Sequence, residues 1–366
     1  TILGFPNQDF YVRIKRINNM KLDKIFHTAV EYRASDIYIT TGTKPVLRIH
    51  GDLVFVEEHP VLTREQAEEY IFETMTEPQK KTFTEKLDID YALEIPGVAR
   101  FRANAFYQRK GIAAAFRLIP EKVQSMVELG LPQQLKKIPS YQNGIVLITG
   151  PTGCGKSTTL AALVNEINNT QKKHIITIED PIEFIYENRL SVVEQREVGT
   201  HTTSFRKALR ASLRENPDVI LIGELRDIET MALAITAAET GHLVLATLHT
   251  SGAGKAIDRV IDSFPSDQQN QIRVQFSESL KCIVWQNLLK RKDGQGHIGA
   301  YEILFNNHAI ANMIRKSKTY QIASSLETGI NEGMQTMKRS VSALLEQGFI
   351  SEEEAAKNLP EEMEME

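Results

Sequence analysis

The octapeptide GPTGCGKS at residues 150–157 constrains this chain more than any other segment. It fills the pattern G-x-x-x-x-G-K-[ST]. An apolar pentad, IVLIT at 145–149, precedes it, and Leu160, Ala161, Leu163, Val164 and Ile167 follow at helical spacing. A strand, a glycine-rich loop and a helix in that order make a phosphate cradle. Glycines let backbone N–H groups turn inward, and the first turn of the helix adds partial positive charge beneath an anion. Gly150, Pro151, Thr152, Gly153, Cys154, Gly155, Lys156, Ser157 and Thr158 are therefore the expected ATP-binding set. Within it, Lys156 is expected to reach the β- and γ-phosphates, and the Ser157 hydroxyl to bind Mg²⁺.

A loop of this kind belongs to a parallel sheet. Apolar runs at 145–149, 175–178, 219–222 and 243–246 alternate with helical stretches, as strands buried on both faces do. Upstream the pattern changes. Leu22, Ile25, Phe26, Ala29 and Val30 repeat at helical spacing, and residues 35–40 alternate as a strand. Segments 46–50 and 53–56 flank the turn pair Gly51-Asp52. Thr63-x-x-Gln66 is a capping-box signature. Ile89, Tyr91, Leu93 and Ile95 alternate, and after Pro96-Gly97 so do Ala99, Phe101, Ala103 and Ala105. The expected fold is α/β: a P-loop core joined to a smaller α+β domain on an antiparallel sheet. The expected boundaries are an extension over 1–19, a domain over 20–117, a linker with three prolines over 118–139, the nucleotide-binding domain over 140–350, and an acidic tail over 351–366.

Charge locates the tail and narrows the partners. The chain has 43 Lys and Arg against 47 Asp and Glu, a net −4. Residues 351–366 hold seven acids and one lysine, so the remainder carries about +2. A near-neutral body with no base-stacking aromatic motif speaks against nucleic acid as the partner. The two cysteines, Cys154 and Cys282, have no zinc spacing. No run approaches the ~18 apolar residues of a membrane span, and residues 1–19 lack an apolar signal core. A cytoplasmic protein without zinc is expected.

Hydrolysis also needs carboxylates beyond the loop. The strand at 219–222 runs into Gly223-Glu224, where the usual Asp-Glu end is replaced, so Glu224 alone is expected to serve the Mg²⁺ shell or the attacking water. Glu179 and Asp180 follow the strand at 175–178, at the carboxyl end where open parallel sheets place their ligands. His242 and His249 bracket the strand at 243–248. Phosphate sensing or subunit contact is one reading of that pair, and a structural role is the other.

Four segments, GPTGCGKSTTLAAL, IITIEDPIEF, NPDVILIGELRDIET and TGHLVLATLHT, stand in the order of the secretion-superfamily ATPases and resemble their Walker A, Asp box, Walker B and His box. ASDIYITTGTKPVLRIHGDL, QNLLKRKDGQGHIGAYEIL and AIANMIRKSK are similar to segments of the type IV pilus retraction branch. The resemblance spans roughly residues 20–350. It implies a PAS-like N-terminal domain, a RecA-like ATPase domain, a homo-hexameric ring and an inner-membrane pilus platform protein as partner. It also implies a peripheral position at the pilus base, with ATP hydrolysis coupled to pilus retraction and twitching motility. Assembly-type siblings usually carry a four-cysteine zinc insertion, which two distant cysteines cannot supply. In this family arginines of the N-terminal domain complete the ATP site, which points to Arg102 and Arg117 among the basic residues of 97–120. Glu224, Glu179, Lys156, His249 and His242 complete the expected catalytic set. Arg206, Arg210 and Arg214, spaced four apart, form a second stripe expected on one helix face. An assembly ATPase and a nucleic-acid-translocating ATPase on the same core are the alternatives.

Overall fold

A computed structural model describes residues 20–49, 51–119 and 123–359. The expected extension over 1–19 lies outside them. The chain divides into two compact units between Lys122 and Val123.

The first unit is a twisted antiparallel sheet with helices. Its strands are β1 (Asp36–Thr40), β2 (Val46–Ile49), β3 (Asp52–Phe55), β4 (Asp88–Ile95), β5 (Ala99–Gln108) and β6 (Gly111–Ile119). Among the described residues they run in the order β3-β2-β1-β6-β5-β4. The helices are α1 (Asp23–Glu31), α2 (Arg64–Glu73) and α3 (Glu77–Lys86). Period-two alternation decides which face is buried: Ala99, Phe101, Ala103 and Ala105 of β5 point into the core, while Arg100 and Arg102 do not. Phe26 of α1 anchors that core, with its ring 4.7 Å from that of Phe101 and 5.2 Å, edge-on, from that of Phe116. The capping box at α2 forms as the sequence expects: Gln66 N–H donates to Thr63 Oγ1 at 3.2 Å, and Thr63 N–H to Gln66 Oε1 at 2.9 Å.

The second unit carries β7 (Gly144–Thr149), β8 (His174–Glu179), β9 (Val192–Glu197), β10 (Val219–Ile222), β11 (Leu243–Leu248), β12 (Leu280–Lys290) and β13 (His297–Phe305). Among the described residues the order is β13-β12-β7-β11-β10-β8-β9. The β12–β13 hairpin is antiparallel, and the other neighbours are parallel. Every residue of β7, β10 and β11 is buried, as expected for strands covered on both faces. Helices α4 (Lys156–Thr170), α5 (Phe205–Ser212), α6 (Ile228–Glu239), α7 (Ala253–Asp262) and α8 (Ser266–Ser279) form the crossovers. After β13 come α9 (His308–Arg315), α10 (Ile322–Thr328), α11 (Met337–Glu346) and α12 (Glu352–Asn358). No described helix is long and apolar enough to cross a membrane.

Three expectations about organisation change. The linker expected over 118–139 is mostly structure: β6 continues to Ile119, and Met126, Leu131, Leu135 and Ile138 are buried in the second unit's core. Pro132 precedes and Pro139 lies within a 3-10 turn at residues 133–140, which puts Leu135 and Ile138 on its inner side. The acidic tail begins with a packed helix, since Ala355 of α12 is buried with Leu289, Ala300, Met337, Val341 and Ile350. The arginine stripe is cut short. Helix α5 stops at Ser212, before Asn216 at φ 53° and Pro217, so Arg214 is outside the helix that carries Arg206 and Arg210.

Candidate nucleotide site

Four loops leave one edge of the second sheet side by side, because β7, β11, β10 and β8 are consecutive neighbours in parallel register. In that order they carry the phosphate loop, His249, Glu224 and the Glu179-Asp180 pair. The order of the strands becomes the order of the chemistry.

The loop between β7 and α4 reaches its geometry through glycine. Gly150, Gly153 and Gly155 have φ of 145°, 79° and 86°, values that side chains resist. Lys156 opens α4 and is buried. Its Nζ donates to the carbonyls of Gly150 at 2.9 Å and Pro151 at 2.8 Å, and lies 3.4 Å from His249 Nδ1. Burial pushes the amine below its ordinary pKa, opposed by Cys154, Glu224 and Glu183. Ser157 is the next residue of the helix and is half-buried. Cys154 is buried inside the loop, and that burial pushes its thiol up, away from thiolate reactivity.

From Lys156 the contacts step along the sheet edge. His249 Nε2 is 3.4 Å from Glu224 Oε1. The other oxygen of Glu224, Oε2, accepts from Arg226 Nε at 2.8 Å, and Arg226 reaches Asp180 Oδ2 at 4.0 Å. Both oxygens of the Glu224 carboxylate are thus engaged by cationic or proton-bearing groups. Thr247 Oγ1 of β11 donates to the carbonyl of Gly223 at 2.5 Å, tying the loop to the neighbouring strand. At Gly223 an added Cβ would sit 3.4 Å from the Ile178 carbonyl oxygen and 3.5 Å from Glu179 Cα. These are ordinary van der Waals distances, so glycine at this position is not imposed by lack of space for a Cβ.

The expected residues do not all converge. Glu179 is buried, and its Oε1 accepts from Thr177 Oγ1 at 2.6 Å and Gln195 Nε2 at 3.3 Å. Thr177 and Gln195 are register partners on β8 and β9, so this carboxyl belongs to a polar group on that side of β8. Asp180 is the acid of the pair that meets Arg226. Burial raises Glu179 to about 7, with the two hydrogen bonds opposing. His242 is placed at the other edge. It precedes β11 while His249 follows it, about 23 Å apart along a strand at ~3.3 Å per residue. Its Nδ1 lies 2.8 Å from the Ala237 carbonyl, and its own carbonyl accepts from Gly144 N–H at 3.0 Å. That makes His242 a turn residue between α6 and β11, not a partner of the phosphate loop. Arg102 and Arg117 are register partners on β5 and β6 of the first unit. Arg117 Nε donates to buried Asp36 Oδ1 at 2.9 Å, and Arg102 Nε lies 3.9 Å from Asp90.

Arg226 escaped the sequence reading. The available signal was a lone cation two residues after Glu224 in GELRD, at the end of an apolar strand.

The sequence profile of type II/IV secretion system proteins matches residues 15–357. The chain belongs to that family, and it is an ATPase of it. A twitching motility protein of Neisseria gonorrhoeae is 48% identical over 329 residues, covering 88% of each chain. The type IV pilus retraction ATPase PilT of Pseudomonas aeruginosa is 46% identical over 336 residues, 92% of this chain and 97% of that one. The fold is shared with the crystal structure of the pilus retraction motor PilT with bound ADP, at a TM-score of 0.88 and 44% identity over 95% of this chain and 99% of that one.

Proposed function

We propose that this chain is the ATP-driven motor of type IV pilus retraction, working as a homo-hexamer at the cytoplasmic face of the inner membrane against a platform protein there. The supporting observation is the unbroken line of contacts from Lys156 through His249 to Glu224 and Arg226. ATP lays its phosphates along the loop at 150–157, where Lys156 exchanges its Gly150 and Pro151 carbonyls for phosphate oxygens. Among the described residues no three His, Cys, Asp or Glu side chains converge as a metal cage. What the sheet edge does offer is a serine hydroxyl and a carboxylate, hard oxygen donors of the kind Mg²⁺ takes when phosphates and water complete its shell. Ser157 and Glu224 would hold the ion, which supplies charge neutralisation at the β- and γ-phosphates.

Glu224 orients the attacking water with His249 beside it. The water oxygen bonds to the γ-phosphorus as the bond to the β–γ bridging oxygen breaks, and the water's proton leaves toward the Glu224 carboxylate or the phosphate itself. Arg226 holds that carboxylate in place. Loss of the γ-phosphate removes the anion that Lys156 and His249 both face, and this is the change that domain motion in a ring converts to work. Retraction, the hexamer and the platform draw their support from the similarity to pilus retraction motors.

The test is a retraction-deficient host that carries excess pili. Wild-type protein is expected to restore retraction and motility, while Lys156→Ala and Glu224→Gln restore neither and lose ATPase activity by about 10²-fold or more. Restoration by Lys156→Ala would sink the proposal.

A further inference from the structure

Gln286 lies in β12, in the segment CIVWQNLLK, where the residues two before and two after it, Val284 and Leu288, are apolar, and it is 2% exposed. A buried amide in such a strand is costly unless both its ends are satisfied. Both are satisfied, and both partners belong to the nucleotide-binding segment. Gln286 Nε2 donates to the carbonyl of Cys154 at 2.6 Å, and Gln286 Oε1 accepts from Thr159 Oγ1 at 2.8 Å. The amide has one possible orientation, because a carbonyl only accepts. The backbone of the same residue closes the loop from below. A Cβ on Gly150 would sit 2.3 Å from the Gln286 carbonyl oxygen, so the loop's first residue lies directly against β12.

We infer that Gln286 is a positioning residue for nucleotide phosphate. It holds the Cys154–Gly155 peptide so that the Gly155 N–H faces the phosphates. In a planar trans peptide the C=O and the following N–H point in opposite directions. Anchoring the Cys154 carbonyl on β12 therefore aims the Gly155 N–H away from β12, into the concave side of the loop. Gly155 adopts φ 86° directly before α4, a conformation that this anchor helps to hold. Thr159, one turn into α4, fixes the other end of the amide, so Gln286 couples the loop to its helix. Without the anchor the peptide is free to rotate, and an inward carbonyl would repel the anion that the N–H attracts. The interaction is made with bound nucleotide before and during phosphoryl transfer, so its loss belongs in binding more than in turnover.

The inference rests on residues 150–157 being the phosphate loop, so Lys156→Ala is measured beside the informative variants in the full-length protein. Gln286→Met keeps the volume and removes both hydrogen bonds. It should raise the KM for ATP and the Kd for ADP about tenfold, the size expected for one buried hydrogen bond, and change kcat by less than about threefold. Thr159→Val, a milder change, should shift both constants about threefold in the same direction. Gln286→Glu supplies a readout that simple loss of packing would not move. A protonated carboxyl can still donate to the Cys154 carbonyl and a carboxylate cannot, so its KM relative to wild type should rise as pH rises. Unchanged KM and Kd in Gln286→Met overturns the inference, as does a pH-independent KM ratio in Gln286→Glu. Should Gln286→Met not fold, an unchanged KM in Thr159→Val overturns it equally. Full nucleotide affinity in Lys156→Ala would instead remove the phosphate-loop reading itself.

Discussion

Glu179 and Glu224 show how position within one sheet edge separates two carboxylates of the same chemistry. Glu179 is enclosed between β8 and β9 and titrates near 7, whereas Glu224 lies between His249 and Arg226. The raised value is a statement about stability. Between the unfolded pKa near 4.5 and the folded value of about 7, the native state holds a proton that the unfolded state has lost. Stability therefore falls as pH rises through that window. Glu179→Gln keeps the acceptor that Thr177 and Gln195 use and removes the ionisation. Its apparent Tm should exceed that of wild type by on the order of 5 °C at pH 8 and match it at pH 4.5, read by thermal unfolding across pH. Glu224→Gln should lower kcat by ~10²-fold or more. Arg226→Ala frees one oxygen of that carboxylate, and steady-state kinetics should show kcat lower by about tenfold at an unchanged KM.

At the scale of elements, packing explains what the sequence pattern alone did not. The phosphate loop, the capping box at Thr63 and the apolar strands were all legible, because each is written in residues adjacent along the chain. Arg226, Gln286 and the strand β9 were not. Arg226 takes meaning from Asp180, and Gln286 from Cys154 and Thr159, both far away in sequence. VVEQRE of β9 is an edge strand whose charged alternation has no apolar run to mark it. The two histidines around β11 looked equivalent because spacing does not say which edge of a parallel sheet carries the site. The C-terminal segment reads as a tail for a compositional reason: its acids dominate the charge while Ala355 does the packing. Beyond Ala355, Asn287 Nδ2 donates to Asn358 Oδ1 at 2.8 Å, and Lys290 N–H donates to Glu354 Oε1 at 3.0 Å. Removing residues 351–366 should therefore lower stability by about 1–3 kcal/mol in thermal or denaturant unfolding, with kcat per folded molecule unchanged.

Arg102 and Arg117 belong to the first unit and the phosphate loop to the second. Arg117 is tied to the buried carboxylate of Asp36, and Arg102 lies near Asp90, so each already has an acid close by within its own unit. If these side chains serve the transferring phosphate, Arg102→Ala and Arg117→Gln should bind ADP normally yet lose about 10³-fold in kcat. Single-turnover kinetics beside nucleotide titration separates that result from a stability effect on the Asp36 ion pair. Wild-type turnover in both variants would return the arginines to the surface of their own domain.

The order of the strands also carries a consequence for how the protein is made. β11 is translated after β7, β8 and β10, yet it belongs between β7 and β10. A nascent chain that has emerged only as far as β10 has a phosphate loop and Glu224, but nothing joins the strands that carry them, and His249 has not been synthesised. Insertion of β11 joins β7 to β10 and brings Lys156, His249 and Glu224 into line in one event, and β12 and β13 then extend the sheet beside β7. A partly made motor therefore lacks both its catalytic line and the β12 anchor of its phosphate loop, and it stays idle.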